Sequence, residues 1–124
     1  GGRGPDPESR RGAGADLRVT EVRWTLQAAD DLRAIREFIE RDSPRYGRLV
    51  AERLFAAPDQ LEEFPESGGH VPELPDRPDL RQLVVGAYTI VYRYRGEIVE
   101  ILTVFRSSRL FPVRRVLGTE HDAP

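Results

Sequence analysis

The residues with the clearest chemical potential are the arginines, which supply all 19 positive charges because the sequence contains no lysine. A guanidinium is planar, stays charged and presents paired donors to a phosphate or a carboxylate. A lysine base, a Schiff-base lysine and a lysine phosphate anchor are all excluded. A GC-rich coding bias explains the same composition, so anion recognition and coding bias both remain open at this point.

Positive charge is concentrated in the C-terminal half of the chain. Residues 19–76 carry 7 arginines against 13 acidic residues, whereas residues 77–118 carry 8 arginines against 3. A polyanionic partner would therefore meet the C-terminal half, unless the two halves simply attract each other across the fold. Four arginines lie in or just after the predicted strands of this half and are the candidate contacts: Arg81, Arg93, Arg106 and Arg109.

Other groups that could perform catalysis or bind a metal are scarce. No cysteine is present, which excludes disulfides, thiolate metal sites and cysteine nucleophiles. The two histidines, His70 and His121, are too few for a multi-histidine site. Asp30 and Asp31 are neighbours on a predicted helix and point about 100° apart, so they form no two-carboxylate site. The sequence predicts no metal and no cofactor.

The length of 124 residues fits one domain. Residues 1–18 are rich in Gly, Pro and Arg and are predicted to be a disordered leader, residues 19–112 the folded domain, and residues 113–124 a C-terminal tail. No apolar run approaches the roughly 18 residues of a membrane helix, and the first residues contain no signal-peptide core. We therefore expect a cytoplasmic protein without a membrane partner.

The folded domain begins with a predicted strand and helix. Val22 and Trp24 alternate with polar neighbours over residues 19–25, which is the period of a strand. Thr25 then provides an N-cap for a helix over residues 26–41. The apolar residues of this helix repeat every three or four positions, so one of its faces should be buried.

A second helix follows after a connection of two or three residues. Ser43 supplies its N-cap, and Pro44 takes the first position, where no amide donor is needed. The short connection predicts that the two helices pack as a hairpin. Pro58 removes a helical hydrogen bond and clashes with the preceding turn, which predicts a kink or a break there.

The C-terminal half is predicted to form a loop and three strands. Residues 65–79 hold four prolines and two glycines. Glycine-containing turns then separate strands over residues 80–85, 88–95 and 97–106, which predicts an antiparallel meander. The tyrosines of the middle strand share one face and are predicted to be core. The fold class is α+β: a two-layer β-α-α-β-β-β domain with a helical hairpin packed on an antiparallel sheet, whose other face stays available.

The order of these elements and six short motifs resemble the RelE/ParE toxin superfamily of bacterial type II toxin–antitoxin modules. The motifs lie within residues 19–112 and read V-R-W-T, A-x-x-D-L, P-x-x-G-G-H, D-L-R-Q-L, Y-x-I-V-Y-R and I-L-T-V-F-R. The resemblance implies growth inhibition, a role in plasmid stabilisation and a cognate antitoxin that neutralises the toxin within a hetero-oligomer.

The superfamily has two mechanistic branches: toxins similar to RelE cut mRNA on the ribosome, and toxins similar to ParE poison DNA gyrase. The RNA-cutting branch places a histidine or tyrosine near the end of the last strand, where residues 105–111 contain neither. The resemblance therefore favours a ParE-like toxin that binds gyrase and has no catalytic site. Two alternatives stay open, a RelE-like mRNA endoribonuclease using Arg81, Arg93, Arg106 and Arg109, and an inactive module that only binds antitoxin.

Overall fold

The computed structural model describes residues 19–121 and, within them, the side chains of residues 19–118. The elements are β1 (Glu21–Trp24), α1 (Leu26–Glu40), α2 (Pro44–Ala56), a 3-10 helix (Ala57–Glu62), β2 (Gly69–His70), β3 (Leu80–Val85), β4 (Tyr88–Arg95), β5 (Ile98–Arg106) and α3 (Val113–His121). The leader predicted for residues 1–18 lies outside the described residues. Within residues 19–121, no helix combines the length and the apolar character needed to cross a membrane.

Both helices of the hairpin begin at the predicted caps. The Thr25 hydroxyl accepts a hydrogen bond from the Ala28 amide and donates one to the Ile101 carbonyl at 2.7 Å. The Ser43 side chain accepts from the Tyr46 amide at 3.2 Å. Each cap satisfies an amide that has no partner inside its own helix. Thr25 also ties the start of α1 to β5.

The predicted break at Pro58 is confirmed. The α-helix ends at Ala56, and the chain continues as a 3-10 helix in which Pro58 is buried. A 3-10 turn accommodates the proline because its missing amide falls at the start of the new helix, where no intrahelical partner exists.

The sheet has five strands in the order β1-β5-β4-β3-β2. The predicted antiparallel meander of β3, β4 and β5 is confirmed. β1 adds to the outer edge of β5 in parallel, with Glu21 opposite Ile98 and Trp24 opposite Ile101. β2 pairs antiparallel with β3. β2 lies within residues 65–79, which the sequence predicts to be a loop.

The helical hairpin covers one face of the sheet, as predicted. The core between the two layers includes Leu54 and Leu61 from the helical layer and Ile90, Tyr92 and Ile101 from the strands. The tyrosines of β4 lie on this face, and Trp24 packs against the cluster. The prediction that the aromatic residues belong to the core is confirmed.

The opposite face of the sheet is partly covered, which corrects the expectation that it stays available. Val91 and Leu102 alternate onto this face and lie in a second cluster with Leu80, Val71 and Val116. Val116 belongs to α3, so the segment from residue 113 is not a simple tail over its described part. The physical reason is burial, because two large apolar strand residues would otherwise face water.

Tyr92 fastens the loop before β2 to the sheet. Its hydroxyl donates to the Pro65 carbonyl at 2.8 Å and accepts from the Gly68 amide at 3.0 Å. Arg81 holds the same loop by donating to the carbonyls of Glu66 at 3.0 Å and Gly68 at 2.8 Å. These four hydrogen bonds satisfy main-chain groups that a strand or helix would otherwise pair.

We expect Tyr92→Phe to lower the free energy of unfolding at pH 7 by about 1–3 kcal/mol, because it leaves the Pro65 carbonyl and the Gly68 amide without a partner. Burial also raises the pKa of the Tyr92 phenol. Its contribution is therefore fully present below a pH of about 10 and is lost as the pH rises toward the raised pKa. Urea unfolding at pH 7 and 10.5 should show a smaller alkaline loss for Tyr92→Phe than for the wild type.

A matched control for this prediction is Tyr46→Phe, since the Tyr46 side chain is exposed. An equal loss at pH 7 for both variants would contradict the assignment. The absence of lysine makes the measurement clean, because tyrosines are then the main side chains that titrate between about pH 9 and 12.

Candidate functional site

The structure separates the four candidate arginines into two pairs, of which the first is used inside the fold. Arg93 is 5% exposed and forms an ion pair with Glu100, its neighbour in register on β5. Arg81 is half-buried and donates to the main chain before β2. These placements favour a structural role for both guanidinium groups over contact with a partner. The ion pair of Arg93 is therefore formed within the sheet, between neighbouring strands.

Arg106 and Arg109 lie at the opposite end of β5 and are exposed. The guanidinium of Arg106 lies 5.9 Å from the ring centroid of Tyr88, its neighbour in register on β4. Within residues 19–118, neither arginine forms an ion pair with a carboxylate. Residues 105–118 also contain Arg114 and Arg115 and no acidic residue. The excess positive charge of the C-terminal half is therefore concentrated here.

The other arginines of the C-terminal half lie beside carboxylates. Arg77 pairs with Asp79 at 2.7 Å, and Arg95 approaches the same carboxylate at 3.9 Å. The hydrogen bond from the Arg77 guanidinium holds the pKa of Asp79 below its ordinary value. That end of the sheet is thus largely neutralised, so within the described residues the excess positive charge of the C-terminal half lies around Arg106.

A cleft of about 270 Å³ opens beside Arg106, and we call it the arginine cleft. It lies between α1, the start of β4, the end of β5 and residues 107–115. Its wall on the α1 side is largely apolar, while arginines form its rim. The described residues that line it are Asp31, Ala34, Ile35, Phe38, Tyr88, Val104, Phe105, Arg106, Arg109 and Arg115.

Asp31 lines the arginine cleft and is only 7% exposed. Its carboxylate accepts hydrogen bonds from the Thr103 hydroxyl, from the Val104 amide at 3.1 Å and from Gln27 at 2.8 Å. Arg115 adds an ion pair at 3.2 Å. β1 ends before it reaches Val104, so the Asp31 carboxylate replaces the missing strand as acceptor for that edge amide.

Asp31 is a site residue that sequence reasoning missed. The sequence excludes a two-carboxylate site for Asp30 and Asp31, and the structure agrees, since Asp30 is exposed and pairs with Arg33. The available signal was spacing: Asp31 lies three residues after the buried Ala28 and therefore on its face of the helix. A carboxylate on a buried face needs an internal partner.

The arginine cleft can bind an anion at its rim, but it holds few groups that transfer protons. Among its described lining residues, these are Asp31 and the Tyr88 phenol. The acceptor positions of Asp31 are already occupied by four donors. Tyr88 lies on β4, outside residues 105–111, where the RNA-cutting branch places its histidine or tyrosine. It is 8% exposed.

The histidines are not part of the described cleft. His70 is exposed on β2, at the opposite edge of the sheet from β1. The side chain of His121 lies outside the described part of the chain. Among the described side chains, no histidine lines the arginine cleft.

A second cleft, of about 380 Å³, lies on the other side of α1, and we call it the hairpin cleft. The rings of Trp24 and Phe55 form part of its lining, with their centroids 5.4 Å apart, and Leu32 of α1 also lines it. Phe55 is 59% exposed. Arg33 and Arg36 lie on the same side of α1 and also line this cleft.

Comparison with known proteins places the chain in a family. The family model described as ParE toxin of type II toxin–antitoxin system, parDE, matches residues 22–111. The chain is 37% identical to Toxin RelE2 of Caulobacter vibrioides over 93 residues, which are 74% of this chain and 100% of that protein.

Two solved structures share the fold. One is described as a chromosomal ParDE TA system from P. aeruginosa, with 21% identity, a TM-score of 0.60 and coverage of 70% of this chain and 95% of that chain. The other is described as the toxin–antitoxin complex RelBE2 from Mycobacterium tuberculosis, with 26% identity, a TM-score of 0.50 and coverage of 76% and 98%. Given the extent of the family match, the chain belongs to the ParE toxin family of type II toxin–antitoxin systems, within the RelE/ParE superfamily.

Proposed function

We propose that this toxin arrests bacterial growth in the cytoplasm by binding DNA gyrase, and that a cognate antitoxin neutralises it. The observation that carries the proposal is the composition of the arginine cleft. Its rim offers exposed cations, Arg106 and Arg109, while its described lining holds no histidine and no carboxylate with free acceptor positions. Such a surface suits binding better than general acid–base catalysis.

An antitoxin partner is supported by the surface of the helical hairpin and by the two structural neighbours, both of which come from toxin–antitoxin systems. Leu49 and Phe55 expose about half or more of their side chains, and Phe55 lines the hairpin cleft. An amphipathic segment laid across the hairpin would bury this apolar surface. Its acidic residues would complement the exposed arginines nearby.

The mRNA endoribonuclease is the second candidate function, and one observation favours it. Tyr88 and Arg106 are neighbours in register, and both line the arginine cleft. A phenol beside a guanidinium can exchange a proton with a ribose or a leaving oxygen while the cation stabilises the phosphate. This pairing provides the kind of residue that the last strand and the following segment lack.

Tyr88→Phe separates the two functions. Because the phenol hydroxyl is needed only for proton transfer, we expect the variant to retain growth arrest within about twofold if the toxin acts by binding. A ribonuclease that relies on Tyr88 would lose roughly 100-fold or more of its cleavage rate. The assay is a plating count after induced expression, and Tyr94→Phe on the same strand is the control.

The proposed function itself is tested by a pulse of induced expression in a bacterial host without antitoxin. We expect growth arrest without new mRNA 5′ ends in phase with codons, and inhibition of supercoiling by purified gyrase. Translation-dependent new ends would instead establish the ribonuclease. No arrest at all would indicate the inactive antitoxin-binding module.

A further inference from the structure

We propose that Thr89 is a positioning residue for target binding. Through Ser107, its hydroxyl holds the turn that carries Arg106 and Arg109, so that both guanidinium groups are presented together. This inference rests on the proposed function and deepens it, since it assumes that these two arginines contact the target. Neither Thr89 nor Ser107 is among the described lining residues of the arginine cleft, so they act on the target only through the arginines.

Arg106 and Arg109 occupy the two ends of one β-turn, residues 106–109, which we call the arginine turn. The Arg109 amide donates to the Arg106 carbonyl at 2.9 Å, which is the hydrogen bond that closes such a turn. The Cα atoms at the two ends of a β-turn lie within about 7 Å of each other. The two side chains therefore start from neighbouring points, and both line the arginine cleft.

The arginine turn is tied to the start of β4 through Ser107. The Ser107 amide donates to the Ala87 carbonyl at 2.8 Å, and the Ser107 hydroxyl lies 2.8 Å from the Thr89 hydroxyl, in a hydrogen bond that either group can donate. A single hydrogen bond would leave the turn free to rotate about it. Two bonds from the same residue fix the orientation of the turn relative to the sheet.

The Thr89 hydroxyl is buried and is directed at this turn. Thr89 is 5% exposed, and within residues 19–118 the Ser107 hydroxyl is the one hydrogen-bond partner of its side chain. Its neighbours in register on β3 and β5 are the apolar residues Val84 and Phe105. A buried hydroxyl costs free energy unless it is paired, and a valine would fill nearly the same space without that cost. The hydroxyl therefore serves the position of the arginine turn.

A fixed turn matters most for Arg109. The guanidinium of Arg106 is also restrained by its contact with the Tyr88 ring at 5.9 Å, whereas within the described residues the Arg109 side chain has neither an ion pair nor a ring contact. Its placement depends on the turn alone. A long side chain that becomes ordered only on binding weakens the affinity by roughly 2- to 10-fold, because its lost freedom opposes association.

The test uses the full-length toxin and measures its dissociation constant for purified gyrase bound to DNA. We expect Thr89→Val and Ser107→Ala each to weaken binding roughly tenfold, and the double variant to weaken it no further, since both changes remove the same hydrogen bond. Thr89→Ser keeps the hydroxyl and should stay within about threefold of the wild type. Ser108→Ala is the matched control, because Ser108 is exposed in the same turn and its hydroxyl forms no hydrogen bond within the described residues.

A double-mutant cycle separates positioning from a general loss of stability. In the Arg109→Gln toxin, Thr89→Val should change the affinity less than about twofold, because the side chain that it displaces no longer carries a charge. The melting temperature of Thr89→Val/Ser107→Ala should stay within about 4 °C of the wild type, since both partners of the bond become apolar. Backbone order parameters of residues 107–109, measured by NMR relaxation, should fall from about 0.85 to below about 0.7 in Thr89→Val.

Three outcomes would overturn the inference: equal affinities for Thr89→Val and Ser108→Ala, a loss that persists in the Arg109→Gln toxin, or unchanged order parameters. The proposed function fails separately, when the wild-type toxin does not bind gyrase. The same variants are then ranked by the inducer concentration that arrests growth. The ranking expected for gyrase would support the inference for whichever target the arginines contact, whereas a different ranking or no arrest at all would overturn it.

Discussion

Replacing Asp31 by alanine is expected to lower the free energy of unfolding by about 3–5 kcal/mol, the largest stability effect of any single change considered for this chain. The substitution removes the acceptor for the Thr103 hydroxyl and the Val104 amide, both buried, and leaves Arg115 without its carboxylate. Since small domains are stable by only about 5–15 kcal/mol, the variant should unfold at markedly lower urea concentration.

The neighbouring residue provides the control for this prediction. Asp30 is exposed and forms only a surface ion pair with Arg33, so Asp30→Ala should change the stability by less than about 0.5 kcal/mol. Asp31→Asn keeps one acceptor oxygen, so its stability should lie between those of Asp30→Ala and Asp31→Ala. Similar urea midpoints for Asp30→Ala and Asp31→Ala would contradict the role assigned to the buried carboxylate.

Gly68→Ala should be the second most damaging substitution, with a loss of about 2–3 kcal/mol. A Cβ at this position would lie 2.7 Å from the Gln82 carbonyl oxygen and 2.7 Å from the Tyr92 hydroxyl. The carbonyl belongs to a strand of the sheet and cannot move aside without disturbing the ladder. The clash also displaces the Gly68 amide from its bond to Tyr92.

Gly69→Ala is the matched control, because a Cβ at Gly69 would meet nothing within 4 Å. Thermal unfolding monitored by circular dichroism should show a clear drop in melting temperature for Gly68→Ala and almost none for Gly69→Ala. If both substitutions were tolerated equally, the close approach of the loop to β3 and β4 would be refuted.

The elements that could be predicted from the sequence are those determined by local chemistry. Thr25 and Ser43 cap helices because a side-chain oxygen must satisfy the first amides, and Pro58 ends α2 because it has no amide to donate. The two-residue period of β4 likewise assigns Tyr92 to the hairpin face and Val91 to the other.

The features that could not be predicted depend on contacts between distant segments. The parallel pairing of β1 with β5 joins residues that are far apart in the sequence, such as Glu21 and Ile98, and no local pattern marks it. The burial of Val116 depends on the apolar face formed by Val91 and Leu102. The pairing of Arg93 with Glu100 follows from strand register, which the sequence leaves open.

The candidate site was predictable only in part, for the same reason. Arg106 and Arg109 were predictable, because they follow the last predicted strand and lie in the half of the sequence with excess positive charge. Tyr88 reaches the cleft only because it pairs with Arg106 across the hairpin. Asp31 reaches it because α1 packs where β1 has ended, which is a property of the assembled layers.

The attachment of β1 to β5 has a consequence for the timing of synthesis. Glu21 can pair with Ile98 only after Ile98 has been synthesised. In the same way, Asp31 can bind Thr103 and Arg115 only after both have been added to the chain. Contacts between such distant positions form slowly and cannot form while the last segment is still inside the ribosome. The arginine cleft is therefore among the last features to form on a growing chain, and a polypeptide that ended before β5 would lack Val104, Arg106 and Arg109 of its lining.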